Sequence, residues 1–266
     1  MAALPSLMKA LRYHGNRDLR LETVPVAIAG ANDVVVRIEY CAVCQTDVEE
    51  FLHGPIYIQH PDKDGNGKTN KITGAGIPMV VGHEAVGTIV SKGSDVKGLA
   101  PGDRCVFTMY ACGNCWYCDP RNGGNVSQCD SWVVAGFMAD GGLAEYMKFA
   151  QQGVVKVPDT IGECPGLALC EPCAVAARAS RRGRVQAGET VAILGGGAIG
   201  LLLAQVCKAK GCRVIVIDMR ELSLRLAVSP SYCRLAARFH SHVPVHTKHT
   251  AGSTGRRRLH QRRHGG

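Results

Sequence analysis

Residues 33–40, DVVVRIEY, alternate strictly: Val34, Val36, Ile38 and Tyr40 fall on one face and Val35, Arg37 and Glu39 on the other, the period of a strand with one buried side. The runs MVVGHEAVGTIVSKG, RCVFTM, GLAEYMKF and GVVKVPD predict further strands, punctuated by turn signals at Pro101-Gly102-Asp103 and Gly141-Gly142. The first 158 residues therefore read as mostly β, interrupted by a polar, Gly-, Pro- and Asp-rich stretch at 53–76 that predicts an exposed loop. Past Val157-Pro158 the period changes. Residues 161–183 are alanine-rich with helical spacing, and Pro172 is expected at the first helical position, where its missing N–H costs nothing, which puts Glu171 at the helix mouth. Residues 189–219 then read as apolar strand, glycine turn, helix closing on Lys208 and Lys210 before Gly211, and a second apolar strand ending in Asp218. The pattern predicts a mostly-β domain followed by an α/β unit with one βαβ crossover.

Charge alters this picture only at the end of the chain. The formal net charge is +9, and residues 228–266, with seven Arg, one Lys and no Asp or Glu, supply all but one of those charges. Six of the ten histidines lie there too. That segment has no hydrophobic period and few large apolar groups, so it is expected to be a basic, disordered tail, its Arg-rich run read as a solvated charge cluster before a nucleic-acid contact. With 46% hydrophobic residues, the rest can bury a core. The amino terminus lacks the pattern of a secretory signal, and the longest uncharged run, 191–207, carries four glycines and falls short of a membrane span. The expectation is a cytoplasmic protein whose thirteen cysteines stay reduced.

In such a compartment the run ACGNCWYC, 111–118, is the strongest chemical signal. Cys112, Cys115, Cys118 and Cys129 offer four soft thiolates within one loop, the donor set of a structural Zn2+; a redox pair would need only two of them and would open a helix. The second signal is GGGAIG. Gly195, Gly197 and Gly200 follow a strand and open a helix, and Asp218 ends the next strand, an arrangement that sets a pyrophosphate on the helix N-terminus and a ribose diol on the carboxylate. Asp218 disfavours a 2′-phosphate, which points to NAD, although Arg220 stands nearby. Cys44, His83, Glu84 and Glu171 could combine as a second metal site, but no spacing rule joins residues so far apart; for the remaining cysteines a small buried hydrophobe is the default reading.

The order CxTD, GHE, four close cysteines, GGLAEY, EPxAVA and GGGAIG, spread over about residues 7–227, closely resembles the medium-chain, zinc-dependent alcohol dehydrogenases, and within them the polyol, threonine and butanediol dehydrogenase branch. The resemblance implies a GroES-like catalytic domain over 1–177 that carries two zinc ions, then an incomplete, doubly wound Rossmann domain for NAD over 178–227. It implies Cys44, His83 and Glu171 as ligands of a catalytic zinc, with Glu84 as a fourth or exchangeable one. Cys44 is chosen over Cys41 because Thr46 and Asp47 follow it at the family's offsets. Thr46 would pass the substrate proton outward, Asp47 would orient His83, and zinc would act as a Lewis acid on a secondary alcohol that gives hydride to NAD. Full-length members oligomerise. Glu49 stands where many members have a relay histidine, ten residues rather than fewer separate Cys118 from Cys129, and HGPIY at 53–57 is similar to butanediol enzymes.

After residue 227 the resemblance ends. A dinucleotide fold needs two βαβαβ halves, so on the order of 90 residues at about 30 per βαβ unit would be missing. The expectation is a truncated fold with a tail of foreign reading frame or retained intron, and hydride transfer by this chain is in doubt. The alternatives are a zinc-holding dehydrogenase fragment without catalysis and a nucleic-acid binder acting through GRRRLHQRR.

Overall fold

The amino-terminal hairpin, β1 (Leu7–Gly15) and β2 (Asp18–Pro25), was not anticipated from the sequence. It closes through a two-residue turn in which Arg17 takes a positive φ of 57°, a twist that suits a tight hairpin. Met8, Ala10 and Tyr13 are its buried positions. The computed structural model describes residues 4–58, 70–129 and 131–228, and these divide between Gly183 and Arg184 into two compact units. Apart from Val228, the basic segment 228–266 lies outside the described residues.

In the first unit, β3 (Asp33–Ala42) leads into helix α1 (Gln45–His53). The stretch expected as a single strand over MVVGHEAVGTIVSKG divides into β4 (Met79–Val80) and β5 (Glu84–Lys92), which enter different sheets. The break is at Gly82, whose φ of +96° a side chain would strain and whose missing Cβ leaves room for Leu143 and Cys41. Strands β6 (Arg104–Phe107), β7 (Tyr146–Ala150) and β8 (Val154–Lys156) form where expected. One sheet has the order β7-β3-β5-β6-β8, all pairs antiparallel, and the other the order β2-β1-β4. The main core joins Val34, Val36, Ile89, Phe107, Met147 and Phe149, and the Phe149 ring meets Phe107 edge-on at 5.9 Å.

The alternation expected for β3 holds only in part. Val35 is buried along with Val34 and Val36, and Tyr40 is exposed. The shift between Ile38 and Tyr40 leaves Glu39 as an extra residue on β3 and turns Tyr40 over to the exposed side, whereas the shift between Val35 and Val36 places its extra residue, Val90, on β5. Helix α2 (Cys170–Arg182) begins earlier than expected, so Pro172 is its third residue and not its first. A proline is tolerated there because first-turn N–H groups have no intrahelical acceptor in any case. Part of 53–76 also departs from an exposed loop, since Ile58 and Asn70 are buried; residues 59–69 lie outside the described residues.

Ile58 is held by Glu50, which is 1% exposed on α1. Its carboxylate accepts the N–H of Ile56 at 2.9 Å, Tyr57 at 2.9 Å and Ile58 at 3.3 Å, folding the loop after Gly54 over the helix end. Glu50→Ala would leave three donors without an acceptor and is expected to cost about 3 kcal/mol at roughly 1 kcal/mol or more each. Urea unfolding of the variant checks this; a midpoint equal to that of the parent would contradict it.

The second unit pairs β9 (Thr190–Leu194) with β10 (Arg213–Ile217) in parallel, joined by α3 (Ala198–Ala209) and followed by α4 (Glu221–Val228). It is the expected strand–turn–helix–strand unit. Helix α4 adds an Arg225 to Glu221 pair of 3.0 Å at the i, i+4 spacing. Among the described residues no helix is long and apolar enough to cross a membrane.

Candidate metal centres

The four cysteines of the loop converge. Their Sγ atoms stand 3.4 Å (Cys112 to Cys129), 3.5 Å (Cys115 to Cys118), 3.8 Å (Cys115 to Cys129) and 3.9 Å (Cys112 to Cys118) apart. None is bonded to another as a disulfide. A regular tetrahedron of sulfurs at the usual Zn–S length of about 2.3 Å has edges of about 3.8 Å, so the cage matches the ion's size. Backbone N–H groups of Cys112 and Ser131 donate to Cys129 Sγ at 3.4 and 3.3 Å, as they would to a thiolate. Desolvation and the neighbouring thiols, Cys115 foremost, push the Cys118 thiol up to about 12; a bound cation is what would reverse that penalty. The long spacing before Cys129 is taken up by two short 3-10 turns, Pro120–Asn122 and Val126–Gln128.

The second cluster is assembled by strand register. Ala42 at the end of β3 pairs with Glu84 at the start of β5, so Cys44, two residues past Ala42, comes beside His83. Ligand atoms of Cys44, His83 and Glu84 all lie within 4.8 Å of one another. Around His83 the partners are distinct: Thr46 Oγ1 is 3.4 Å from Nε2, and Asp47 Oδ1 is 3.4 Å from Nδ1. The Asp47 and His83 atoms are buried and make no aligned hydrogen bond, while Asp47 Oδ2 accepts the Cys44 N–H at 2.9 Å, which fixes the carboxylate to the first turn of α1. Burial opposes charge on His83, but Asp47 and the Cys44 thiol outweigh it and raise the imidazole to about 10. A sulfur, a nitrogen and a carboxylate oxygen gathered within 4.8 Å of one another form a donor set suited to zinc.

Glu171 is not part of this compact trio. It lies on the first turn of α2, half-buried; burial raises its carboxyl, while His83 lowers it and Glu84 and Asp47 raise it further, so all three act on it electrostatically. Cys41 stays outside the trio as well, and burial pushes its thiol up to about 12, the condition of a buried hydrophobe. Glu49 accepts from Gln45 at 2.9 Å and faces His53 at 3.8 Å on the outer side of α1. Sequence reasoning missed Phe137, whose ring packs on His83 at 4.8 Å and on Tyr57 at 5.4 Å, because an aromatic contact between separate loops leaves no spacing signal.

In the second unit the turn after β9 approaches its helix closely. A Cβ on Gly200 would land inside contact distance of the Gly195 carbonyl, so only glycine allows this packing, and Gly197 caps α3. Asp218 holds the turn: it accepts the Gly196 N–H at 2.7 Å and the Arg220 N–H at 2.7 Å, with the Arg220 guanidinium 3.5 Å away. The backbone N–H of Arg220, then that of Gly196, depress its carboxyl to about 2. Because the folded value lies below the unfolded one of about 4, the stabilisation is present above pH 4 and is lost as pH falls through about 2. Asp218→Asn is expected to flatten this acid limb for the second unit, read by amide exchange of residues 190–217 across that range; an unchanged acid dependence would contradict it.

Comparisons with known proteins bear on the domains that carry these residues. Residues 30–159 match the alcohol dehydrogenase GroES-like domain family, and residues 190–253 match the pyridine nucleotide-disulphide oxidoreductase family. Sorbitol dehydrogenase of Bacillus subtilis is 32% identical over 84% of this chain and 59% of its own length. The crystal structure of 2R,3R-butanediol dehydrogenase from Bacillus subtilis superposes with a TM-score of 0.73 at 29% identity, covering 83% of this chain and 60% of that one. A protein of Sinorhizobium meliloti 1021 assigned as a zinc-binding dehydrogenase and solved with NADP gives 0.72 at 32% identity, over 84% and 59%. The chain thus spans about 59% of the length of the relatives it matches. With the ordered cysteine and GHE motifs in place and a partial nucleotide-binding unit after them, residues 30–159 belong to the alcohol dehydrogenase GroES-like domain family, and along 84% of its length the chain is similar to a shortened zinc-type alcohol dehydrogenase.

Proposed function

We propose that this chain carries the zinc-binding catalytic part of an NAD-dependent dehydrogenase that oxidises a secondary alcohol of the polyol or 2,3-butanediol kind in the cytoplasm. One observation carries the reading: Cys44, His83 and Glu84 bring sulfur, nitrogen and oxygen within 4.8 Å, with Thr46 on one side of the imidazole and Asp47 on the other. Two zinc ions would bind per chain. Cys44, His83 and Glu171 would hold the catalytic one, with Glu84 exchangeable, and Cys112, Cys115, Cys118 and Cys129 the structural one. When bound, the catalytic ion supplies Lewis acidity to the alcohol oxygen. Asp47 keeps the His83 ring in place through Nδ1, and its own position is set by the Cys44 N–H. Thr46 takes the alcohol proton at Oγ1 and passes it outward.

Residues 1–177 would serve as the catalytic domain and 178–227 as the opening of the nucleotide domain. There Gly195, Gly197 and Gly200 admit the pyrophosphate to the N-terminus of α3, and Asp218 takes the ribose diol. The carboxylate favours NAD over NADP. A second reading, a chain that holds zinc without turning over alcohol, draws support from the described nucleotide unit, whose sheet has two strands. One experiment decides. The full chain, loaded with zinc, is given NAD or NADP with sorbitol or 2,3-butanediol: NADH formation that Thr46→Val abolishes supports the first reading, and two bound zinc ions without turnover support the second.

A further inference from the structure

We propose that Cys170 and Cys173 form a reversible dithiol–disulfide site on the first turn of α2, oxidised by a small disulfide such as oxidised glutathione. The run CEPC places them as the first and fourth residues of α2, Cys170–Arg182. Both are free thiols, Cys170 exposed and Cys173 part-buried, and neither belongs to either cluster of candidate metal ligands. One helical turn apart, at positions i and i+3, they lie on the same face of α2. The inference does not depend on a metal at Cys44.

Helix geometry decides whether the bond can close. Residues three apart on a helix have Cβ atoms about 5–6 Å apart, and a disulfide needs about 3.5–4.5 Å, so the turn must tighten by roughly 1–2 Å. The first turn is the part of a helix that can yield. The Cys170 N–H donates to Leu167 O of the preceding 3-10 turn and not within α2, Pro172 has no N–H at all, and the residue before the helix, Leu169, contributes no side-chain cap. The preceding 3-10 turn, Pro165–Leu169, already follows the tighter winding that brings residues three apart into line.

Exposure sets the order of events. The Cys170 thiolate attacks one sulfur of the oxidised glutathione, breaking its S–S bond, forming a mixed disulfide and releasing one glutathione thiolate. Cys173 then gives up its proton and attacks the Cys170 sulfur, expelling the second glutathione. Two protein thiols are oxidised and one glutathione disulfide is reduced to two thiols; excess reduced glutathione runs the same steps backward.

The test treats the zinc-loaded full chain with oxidised glutathione, alkylates the remaining thiols and sequences the tryptic peptide 157–178, which contains Cys164, Cys170 and Cys173. The expected peptide is lighter by two hydrogens and alkylated only at Cys164, and dithiothreitol restores three alkylation sites. In Cys173→Ser, glutathione should remain attached at Cys170; in Cys170→Ser, modification of Cys173 should slow at least about tenfold, because the exposed attacker is gone. Alkylation of both Cys170 and Cys173 in the treated parent would overturn the proposal. So would stable glutathione on Cys170 beside an alkylated Cys173, or a bond to Cys164 in place of the expected pair.

Discussion

Cys118→Ser is expected to release one zinc ion per chain and to open the loop 112–129 while leaving the remainder of the first unit folded. Cys118 is buried and its Sγ lies 3.5 Å from Cys115 and 3.9 Å from Cys112, so it supplies a corner of the cage and part of its cover. Structural zinc sites contribute on the order of 10–16 kcal/mol of apparent binding energy in isolated fingers, and a hydroxyl is a far poorer donor than a thiolate. The loop has little else to hold it. It contains two 3-10 turns of three residues each, and Trp116 on it is exposed. Native mass spectrometry should show the metal count fall by one, and amide exchange within 112–129 should rise toward that of an unstructured segment, with β3 and β5 unchanged. Undiminished zinc in the variant would mean that the four sulfurs do not hold an ion.

The second large effect belongs to His83. His83→Ala removes the nitrogen between Thr46 and Asp47 and is expected to abolish binding of the other ion. Replacing zinc by Co2+ makes the two centres separable, since each carries thiolate ligands and absorbs through sulfur-to-cobalt charge transfer. The His83→Ala spectrum should keep the contribution of the four-sulfur centre and lose that of Cys44. Asp47→Asn should act differently. It keeps the hydrogen bond from Cys44 but weakens the charge behind His83, so metal affinity should fall about 10–100-fold with the spectrum intact. If both variants bind two cobalt ions as tightly as the parent, Cys44, His83 and Glu84 are not a metal site.

These two centres were legible in the sequence to different degrees, for a physical reason. The cysteine cage lies within eighteen residues of chain, so its spacing alone restricts where the sulfurs can go. The glycine turn is local in the same sense: strand, turn and helix are consecutive, and the close approach of Gly200 to Gly195 follows from that sequence. The His83 centre is not local. It depends on Ala42 pairing with Glu84, and a slip of a single residue in that ladder would turn the side chains of β5 to the other face. Only the resemblance to a family, not periodicity, put Cys44 with His83 beforehand.

By itself, then, the sequence determined the division into a mostly-β part and a βαβ unit, the donor chemistry of the cysteine loop, and the acidic residue that closes the glycine turn. The tertiary structure decided the rest. It buried Val35 beside Val34 and Val36, turned Tyr40 outward at a register shift, split one apolar run into β4 and β5 at Gly82, and turned Glu50 inward to accept three backbone N–H groups. It also gathered Cys44, His83 and Glu84 while leaving Glu171 outside their compact group. Short-range steric and hydrogen-bond preferences are written residue by residue and survive in a linear reading, whereas strand register and the packing of separate loops are fixed only when distant segments compete for the same core.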